Sequence, residues 1–250
     1  MKFLVIGDSC TDRFVYGECD RICPEAPVPV FNPVATKSNG GMAANVYANI
    51  LALDHECDLI SNKNSIIKSR YVDKKTNQML LRVDEQDYTT DRFTDCAIDY
   101  DTYDAIIISD YNKGFLTNID ISHICSSHEY VFVDSKKNFL TALSKKMKFL
   151  KINQHEYEKN SEYFKEDNKQ HGDLWMDKLI VTSGSSGCWY QRKQFPLRTK
   201  REARDLSGAG DTFLAAFVIS YMNQKDAYAA ITFAQECASE VVSKKGVVTI

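Results

Sequence analysis

A glycine-rich segment near the C-terminus carries the most distinctive chemistry in the sequence. Residues 205–213 read DLSGAGDTF and precede an apolar stretch with helical periodicity. Gly208 and Gly210 permit a tight turn and a close approach of the backbone to a ligand, and free N–H groups at a helix start attract anions. Asp211 would repel a phosphate that is merely bound, but it could accept the proton of a hydroxyl that attacks phosphorus.

The same spacing is compatible with a purely structural role. An ordinary glycine turn followed by an acidic residue in the first helical turn would look alike, because carboxylates are favourable there. The patterns GxxxxGK[ST] and GxGxxG are absent from the sequence, so the segment is neither a P-loop nor a dinucleotide fingerprint. Spacing alone leaves the catalytic and the structural interpretations open.

The elements that would position this segment are read from hydrophobic periodicity. Continuous apolar runs predict strands, and helical spacing predicts helices between them. Such alternation is typical of an α/β fold with a mostly parallel sheet covered on both faces. The predicted strands are residues 2–6, 105–108, 130–133, 149–152 and 179–182, and the predicted helices are residues 43–53, 119–125, 211–222 and 227–242.

Two segments break the alternation. Residues 12–36 contain four of the five prolines and alternate around Val28, Val30 and Val34, and residues 78–84 also read as a strand. We predict that 12–36 and 78–92 form a small antiparallel β lid within a single domain, 1–250. Residues 156–178 are strongly polar and predict a solvated helix and loop.

Composition excludes several classes of protein. The chain has 250 residues, 44% hydrophobic and 26% charged, with a formal net charge of -3. Disorder and a basic nucleic-acid footprint are therefore not expected, and no apolar run is long enough to cross a bilayer. Eight cysteines without a CxxC pair favour reduced thiols in a cytoplasmic protein. The spacing of His123, Cys125 and His128 fits no common zinc pattern.

Four segments together resemble the PfkB (ribokinase-like) sugar kinases. Residues 205–211 resemble the second family signature, and GGMAAN at 40–45 resembles the first. TSGSSG at 182–187 is similar to the TxGxxG loop near the nucleotide, and NQHE at 153–156 to the NxxE motif. All four occur in family order. The resemblance implies a ribokinase-like three-layer α/β/α sandwich with a small β lid.

Further segments resemble the heptose 7-phosphate kinases of ADP-heptose synthesis. They are residues 7–14, 21–30, 109–114 and 133–136. The resemblance covers nearly the whole chain and implies only the kinase step, since the adenylyltransferase half is absent. There are departures: the stretch from about 53 to 71 is shorter than in the family, Leu206-Ser207 replaces the usual pair, and Cys23 stands where Ser is common. Because the shortened stretch borders the sugar pocket, the substrate is less well specified than the reaction.

The resemblance also implies roles for individual residues. Asp211 would be the general base, and Gly208, Ala209 and Gly210 would supply backbone N–H groups to the transferred phosphoryl. The sugar would be held by Asp12, Gly40, Gly41 and Asn45, with Arg13 and Lys113 at a phosphate end. The nucleotide would contact Lys136, Asn153, Thr182, Gly184 and Gly187, and Asn153 and Glu156 would act on Mg2+ through its waters.

Structural alternatives stand beside several of these roles. Asn153 and Glu156 could form a capping box at a helix start, and Asp12 could cap a turn before the lid. Thr182, Gly184 and Gly187 could form a plain β-turn. Arg13, Lys113 and Lys136 could be surface charges, since the chain has 31 basic residues.

The resulting hypothesis is an ATP- and Mg2+-dependent kinase that converts heptose 7-phosphate to the 1,7-bisphosphate. Kinases of similar sequence pair through their lids, which implies a homodimer. The negative net charge and the lack of a long apolar run predict no nucleic-acid or membrane partner. The alternatives are a kinase of another sugar or sugar phosphate, and a truncated relative that binds nucleotide or sugar without turnover.

Overall fold

A computed structural model describes residues 1–95, 98–138, 146–198, 207–244 and 249–250. The strands are β1 (Lys2–Gly7), β2 (Ser9–Glu18), β3 (Asn32–Met42), β4 (Glu56–Ser61), β5 (Ile66–Asp73), β6 (Met79–Glu85), β7 (Ala105–Asp110), β8 (Val131–Ser135), β9 (Phe149–Asn153), β10 (Leu179–Thr182), β11 (Cys188–Tyr190) and β12 (Lys193–Phe195). The α-helices are α1 (Ala43–Ala52), α2 (Asn118–Ser127), α3 (Gln154–His171), α4 (Ala209–Gln224) and α5 (Ala227–Val242).

The main sheet has eight strands in the order β12-β11-β10-β9-β8-β7-β1-β4. The neighbours from β10 to β4 pair in parallel, and β11 and β12 add an antiparallel edge. The predicted mostly parallel sheet is confirmed, and each of the five predicted strands is found within about two residues of its expected bounds. Residues 3–6 of β1, which lies between β7 and the edge strand β4, are fully buried, as expected for a strand covered on both faces.

Helices cover both faces of the main sheet. Phe3 and Val5 of β1 pack in one core with residues of α1, α4 and α5. Leu4 and Ile6, which point to the opposite face, pack with residues of α2 and α3. The strand period of two therefore divides the apolar side chains between two cores, and the body is an α/β/α sandwich. None of the helices in the described ranges is long and apolar enough to cross a membrane.

A second, smaller sheet has the order β3-β2-β5-β6. The prediction that 12–36 and 78–84 pair with each other is wrong, because β5 lies between them, parallel to β2 and antiparallel to β6. Val28 and Val30 lie outside the strands, in a segment whose one bridge joins Ile22 and Pro29. The prolines of this segment disfavour a strand because they lack the N–H that a ladder requires. β5 was not predicted because its lysine and arginine interrupt the apolar pattern of a strand.

A link of four residues, 62–65, joins the edge strand β4 to the small sheet. The Asn62 side chain exchanges hydrogen bonds with the backbone of Ser9, at 2.7 and 3.1 Å. The Asp91 carboxylate accepts from the backbone N–H groups of Lys63 and Asn64 at 2.7 and 2.8 Å. The link is therefore fastened on two sides. It lies within residues 53–71, the stretch that the resemblance to the sugar kinases implies is shortened.

Candidate active site

Several predicted site residues lie where the parallel strands of the main sheet end. In open α/β sheets, ligands bind in the crevice outside these carboxyl ends. Tyr111 follows β7, Lys136 follows β8, and Asn153 ends β9. Thr182 ends β10 and is the register partner of Asn153. The first turn of α4 supplies Asp211 on the same side, next to Tyr111.

The start of α4 has the geometry of a tight turn that leads into a helix. Gly208 precedes the helix with a φ of 81°, in the left-handed region that glycine adopts readily. The N–H of Thr212 donates to the Gly208 carbonyl at 2.9 Å. The helix begins at Ala209, two residues before the predicted start. Asp205 and Leu206 of the motif lie outside the described residues.

Asp211 is a buried carboxylate with a hydrogen-bond donor on each oxygen. Only 3% of the residue is exposed. The Tyr111 hydroxyl donates to Oδ1 at 2.7 Å, and Asn45 Nδ2 donates to Oδ2 at 3.1 Å. Burial raises the pKa of Asp211 to about 6, against the lowering effects of the two hydrogen bonds and of Lys151. A carboxylate with this pKa is mostly ionised at neutral pH and close enough to it to accept a proton.

The first predicted signature brings α1 against α4. Gly40 and Gly41 lie just before the last residue of β3, and Asn45 lies in the first turn of α1. Besides its bond to Asp211, Asn45 is held by Asn49, whose Nδ2 donates to its backbone carbonyl at 2.8 Å. A Cβ on Gly41 would collide with the Asp12 carboxylate and the Cys10 sulfur. Gly41 thus keeps Asp12 close to the turn that carries Asn45.

Asp12 is ion-paired with Arg70, a residue that the sequence analysis missed. Both are nearly buried, at 5% and 8% exposed. The Arg70 guanidinium also lies over the Phe14 ring, 5.0 Å from its centroid. The signal for Arg70 was absent because β5 was not recognised as a strand. Arg13 follows Asp12 on β2 and therefore points to the opposite face, where it approaches Glu85 at 3.8 Å. The side chains of Arg13 and Asp12 therefore lie on opposite faces of the small sheet.

Asp87 pairs with one lysine of the small sheet and with one lysine of the loop after β7. Lys68 Nζ lies 2.9 Å from Asp87 Oδ1, and Lys113 Nζ lies 2.5 Å from Asp87 Oδ2. Burial opposes ionisation of Asp87, but the hydrogen bonds from Lys113 and Lys68 outweigh it and lower its pKa. Lys113 is therefore held at the junction between the sheets, and Lys68 joins it without having been predicted.

Two lysines lie near the carboxyl ends of β8 and β9. Lys136 Nζ lies 4.0 Å above the centre of the Tyr111 ring and 3.3 Å from Glu156 Oε1. Burial lowers its pKa, but Asp134, Glu156 and Asp211 outweigh that effect and raise it. Lys151, which carried no motif signal, pairs with buried Asp134 at 2.6 Å. Its ammonium lies 3.1 Å from where a Cβ of Gly210 would be.

Asn153 and Glu156 form the capping box that was considered as their structural alternative. Asn153 Oδ1 accepts from the Glu156 N–H at 2.9 Å, and Glu156 Oε2 accepts from the Asn153 N–H at 2.8 Å. Each of these oxygens retains one acceptor position, which fits contact with a hydrated Mg2+ through water. Among the described residues, no group of three His, Cys, Asp or Glu side chains could hold a metal directly.

The loop after β10 lies beside the Asn153 cap. Thr182 Oγ1 donates to the Ile152 carbonyl at 3.3 Å, and the Ser183 N–H donates to the Gly187 carbonyl at 2.7 Å. Gly187 has a φ of 88°, and a Cβ there would collide with the Phe195 carbonyl. Gly184, with a φ of 53°, opens the short 3-10 turn between them. The loop is thus a turn between β10 and β11, at the position expected for it.

Comparisons with known proteins agree with this arrangement. The model of the pfkB family carbohydrate kinases matches residues 69–250. The bifunctional protein HldE of Nitratiruptor sp. is 31% identical over 293 positions, which cover 99% of this chain and 63% of the relative. HldE of Helicobacter hepaticus is 30% identical and covers 98% and 61%. The chain thus spans less than two thirds of the length of these curated relatives.

Solved structures share the fold. Ribokinase of Thermotoga maritima has a TM-score of 0.71 at 17% identity and covers 98% of this chain and 94% of its own. Arabidopsis thaliana ribokinase, determined with ribose and ATP, has a TM-score of 0.67 at 15% identity, covering 98% and 93%. The expected ribokinase-like fold is confirmed. The chain belongs to the pfkB family of carbohydrate kinases, phosphotransferases with an alcohol group as acceptor.

Proposed function

We propose that the chain transfers the γ-phosphoryl group of ATP to a sugar hydroxyl, with Asp211 as general base. The observation that carries this proposal is the buried Asp211 carboxylate in the first turn of α4, whose pKa burial raises to about 6. A purely structural aspartate at a helix start would be favoured in an exposed, fully ionised state. Asp211 is instead 3% exposed and faces the crevice residues Tyr111 and Asn45.

In the proposed reaction, the sugar hydroxyl loses its proton to Asp211 as its oxygen attacks the γ-phosphorus. The new O–P bond forms while the bond from the γ-phosphorus to the bridging oxygen breaks, and ADP leaves with that electron pair. The backbone N–H groups of Gly208, Ala209 and Gly210 would stabilise the charge on the phosphoryl oxygens. The Lys151 ammonium beside Gly210 adds positive charge at the same place.

The sugar would lie between the small sheet and the start of α1. Asp12 and Asn45 can hold hydroxyl groups by paired hydrogen bonds, and Gly40 and Gly41 let the backbone approach the ring. Lys113 would bind a phosphate at the far end of the sugar, together with Lys68. Arg13, which lies on the opposite face of β2, is not assigned a role in this proposal.

ATP and Mg2+ would occupy the opposite end of the crevice. Lys136, Asn153, Thr182, Gly184 and Gly187 would border the nucleotide, since they lie at or just beyond the carboxyl ends of β8, β9 and β10. Asn153 and Glu156 would hold the hydrated metal through their remaining acceptor positions. When bound, Mg2+ would neutralise part of the charge on the phosphate oxygens.

A heptose 7-phosphate, phosphorylated at the anomeric hydroxyl to the 1,7-bisphosphate, is the proposed substrate. Similarity to HldE proteins along nearly the whole chain supports it, as does the charge of Lys68 and Lys113. The alternatives are another sugar or sugar phosphate, and a relative that binds without turnover, which the shortened stretch at 53–71 favours.

A coupled assay of ADP release tests the proposal. Heptose 7-phosphates, hexoses and hexose phosphates are offered with Mg-ATP to the wild type and to the Asp211→Asn variant. We expect a heptose 7-phosphate to give the largest stimulation in the wild type. The proposed kinase activity is contradicted if no sugar raises ADP release above that of Asp211→Asn. Binding of ATP or of a sugar, measured by calorimetry, would then favour a relative that binds without turnover.

We also propose that two copies associate through the small sheet. Val34, Met79 and Leu81 lie on its two edge strands and are 54–56% exposed, and an exposed edge strand with apolar side chains can pair with another chain. Light scattering at micromolar concentration should give the mass of two chains. The mass of one chain would count against the dimer.

A further inference from the structure

The loop that follows β7 is fastened by a fully buried carboxylate. Asp8, at 0% exposure, accepts three backbone N–H groups from this loop. The donors are Tyr111 at 2.8 Å, Lys113 at 3.1 Å and Phe115 at 3.2 Å. A carboxylate that accepts several backbone N–H groups forms strong, charge-assisted hydrogen bonds. The backbone from 111 to 115 is therefore held in one conformation.

A second carboxylate fixes the start of the same loop. Asp110 Oδ2 accepts from the Ser135 hydroxyl at 2.5 Å, and its Oδ1 accepts from the Asn112 N–H at 3.0 Å. Asn112 adopts a left-handed φ of 56°, a conformation that asparagine tolerates better than most residues. The turn that aims Tyr111 at the crevice is thus determined from both β7 and β8.

The Tyr111 side chain fits closely between the small sheet and the main body. Its ring packs against the cluster of Cys10, Met42 and Ile66 at the base of the small sheet. Lys136 covers the ring at 4.0 Å. The hydroxyl reaches Asp211 Oδ1 at 2.7 Å. A ring held on both sides leaves the hydroxyl little freedom to turn away from the carboxylate.

We propose that Tyr111 is a positioning residue for phosphoryl transfer, whose hydroxyl fixes the orientation of the Asp211 carboxylate and stabilises its negative charge. The proposal rests on the proposed role of Asp211 as general base. A carboxylate oxygen has two acceptor positions, so Oδ1 can still accept the proton of a sugar hydroxyl while Tyr111 donates to it. The fixed hydroxyl leaves a defined direction for that second donor.

The charge effect has a definite sign. A hydrogen bond to the ionised form lowers the pKa of a carboxyl group, so loss of the Tyr111 hydroxyl raises the pKa of Asp211. The other groups that act on Asp211 stay in place: Asn45 donates to it, Lys151 lowers its pKa, Asp134 raises it, and Lys136 and Cys10 lie near enough to interact with it. Removal of one hydroxyl therefore isolates one contribution.

The test compares Tyr111→Phe with Tyr103→Phe. Tyr103 also donates its hydroxyl to a carboxylate, that of Asp58 at 2.9 Å, but at the β4 edge of the main sheet. In Tyr111→Phe we expect the acid limb of kcat to move up by about one pH unit, so that kcat at pH 5.5 falls about tenfold and recovers above pH 8. The KM for the sugar should stay within about twofold. Tyr103→Phe should follow the wild-type profile.

A second measurement needs no substrate. The Asp211 carboxyl carbon, assigned by comparison with Asp211→Asn, is titrated by carbon NMR in the wild type and in Tyr111→Phe. An upward shift in Tyr111→Phe supports the proposal even if no sugar is phosphorylated, in which case only the proposed function fails. An unchanged titration together with an unchanged acid limb overturns it. A higher rate of sugar-independent ATP hydrolysis without any shift also overturns it, because Tyr111 would then block the base.

Discussion

The start of α4 and the small sheet bury a carboxylate in different ways. At the start of α4, Asp211 contacts no ion-pair partner among the described residues and relies on the neutral donors Tyr111 and Asn45. In the small sheet, Asp12 is buried against the positive charge of Arg70. A group that must take up a proton needs a pKa near neutrality, whereas a group that only accepts hydrogen bonds from hydroxyls does not. The difference separates the proposed chemistry from the proposed recognition.

The largest effect should come from Asp211→Asn, because it removes the proposed proton acceptor. We expect kcat to fall by about 10²–10⁴-fold. The fold should become more stable, by about 1–3 kcal/mol at pH 7.5, since a raised carboxyl pKa means that ionisation opposes folding. That gain should develop as the pH rises from about 4 to 6 and stay constant above. Urea unfolding at pH 4, 5 and 7.5 measures it, and a variant less stable than the wild type at pH 7.5 would contradict the unpaired-charge account.

Arg70→Met should show the opposite balance in the small sheet. It leaves the Asp12 carboxylate buried without its partner, and breaking one half of a buried pair costs about 3–5 kcal/mol. The double variant Asp12→Asn/Arg70→Met should recover most of that stability, because no charge is left unpaired. Urea unfolding of the three proteins tests this. A loss below about 1 kcal/mol in Arg70→Met would show that the burial of Asp12 does not depend on an ion pair in the way described.

Lys113→Met probes the junction between the two sheets. We expect the KM for a sugar phosphate to rise about tenfold, while turnover of an unphosphorylated sugar stays the same, because a charge-assisted contact is lost. Lys75→Met is the matched control, since Lys75 also pairs with an aspartate, Asp20 at 2.9 Å, but on the exposed side of the small sheet. Equal changes in both variants would remove the assignment of Lys113 to a phosphate.

The smallest effect should come from Asp226→Ala, which alters the main body away from the crevice. Asp226 caps α5 by accepting from the N–H groups of Tyr228 at 2.8 Å and Ala229 at 3.2 Å. Loss of such a cap costs about 1 kcal/mol and should leave the kinetics unchanged. Thermal unfolding and the ADP-release assay check both parts. A change in kcat would show that the proposed catalytic residues respond to a change in α5, away from the crevice.

The sequence predicted the main sheet better than the small one for a physical reason. Strands such as β7 and β8 are covered on both faces and therefore appear as continuous apolar runs. β3 is largely exposed, and β5 carries the buried charges Lys68 and Arg70, so neither gives an apolar pattern. Their pairing is fixed by the ladder and by ion pairs that only the folded chain brings together.

The site shows the same division. Gly208, Gly210 and Asp211 could be predicted because a turn followed by a helix imposes short, fixed spacings. Arg70, Lys151 and Tyr111 reach the crevice from separate strands, and their contacts span 58, 17 and 100 positions of sequence. Hydrophobic periodicity indicates local structure and does not show which residues far apart in sequence meet in the fold. The segment 109–114, which resembles the heptose 7-phosphate kinases, contains Tyr111, but nothing in it indicates a contact with Asp211.

The link at 62–65 limits the amplitude of any rearrangement around the sugar. Four residues extend to at most about 14 Å, and here they are shortened further by their bonds to Ser9 and Asp91. A wide hinge swing of the small sheet would have to break these anchors. In the proposed site, discrimination between sugars would therefore rest on a shape and charge that exist before the sugar arrives, more than on closure around the right one.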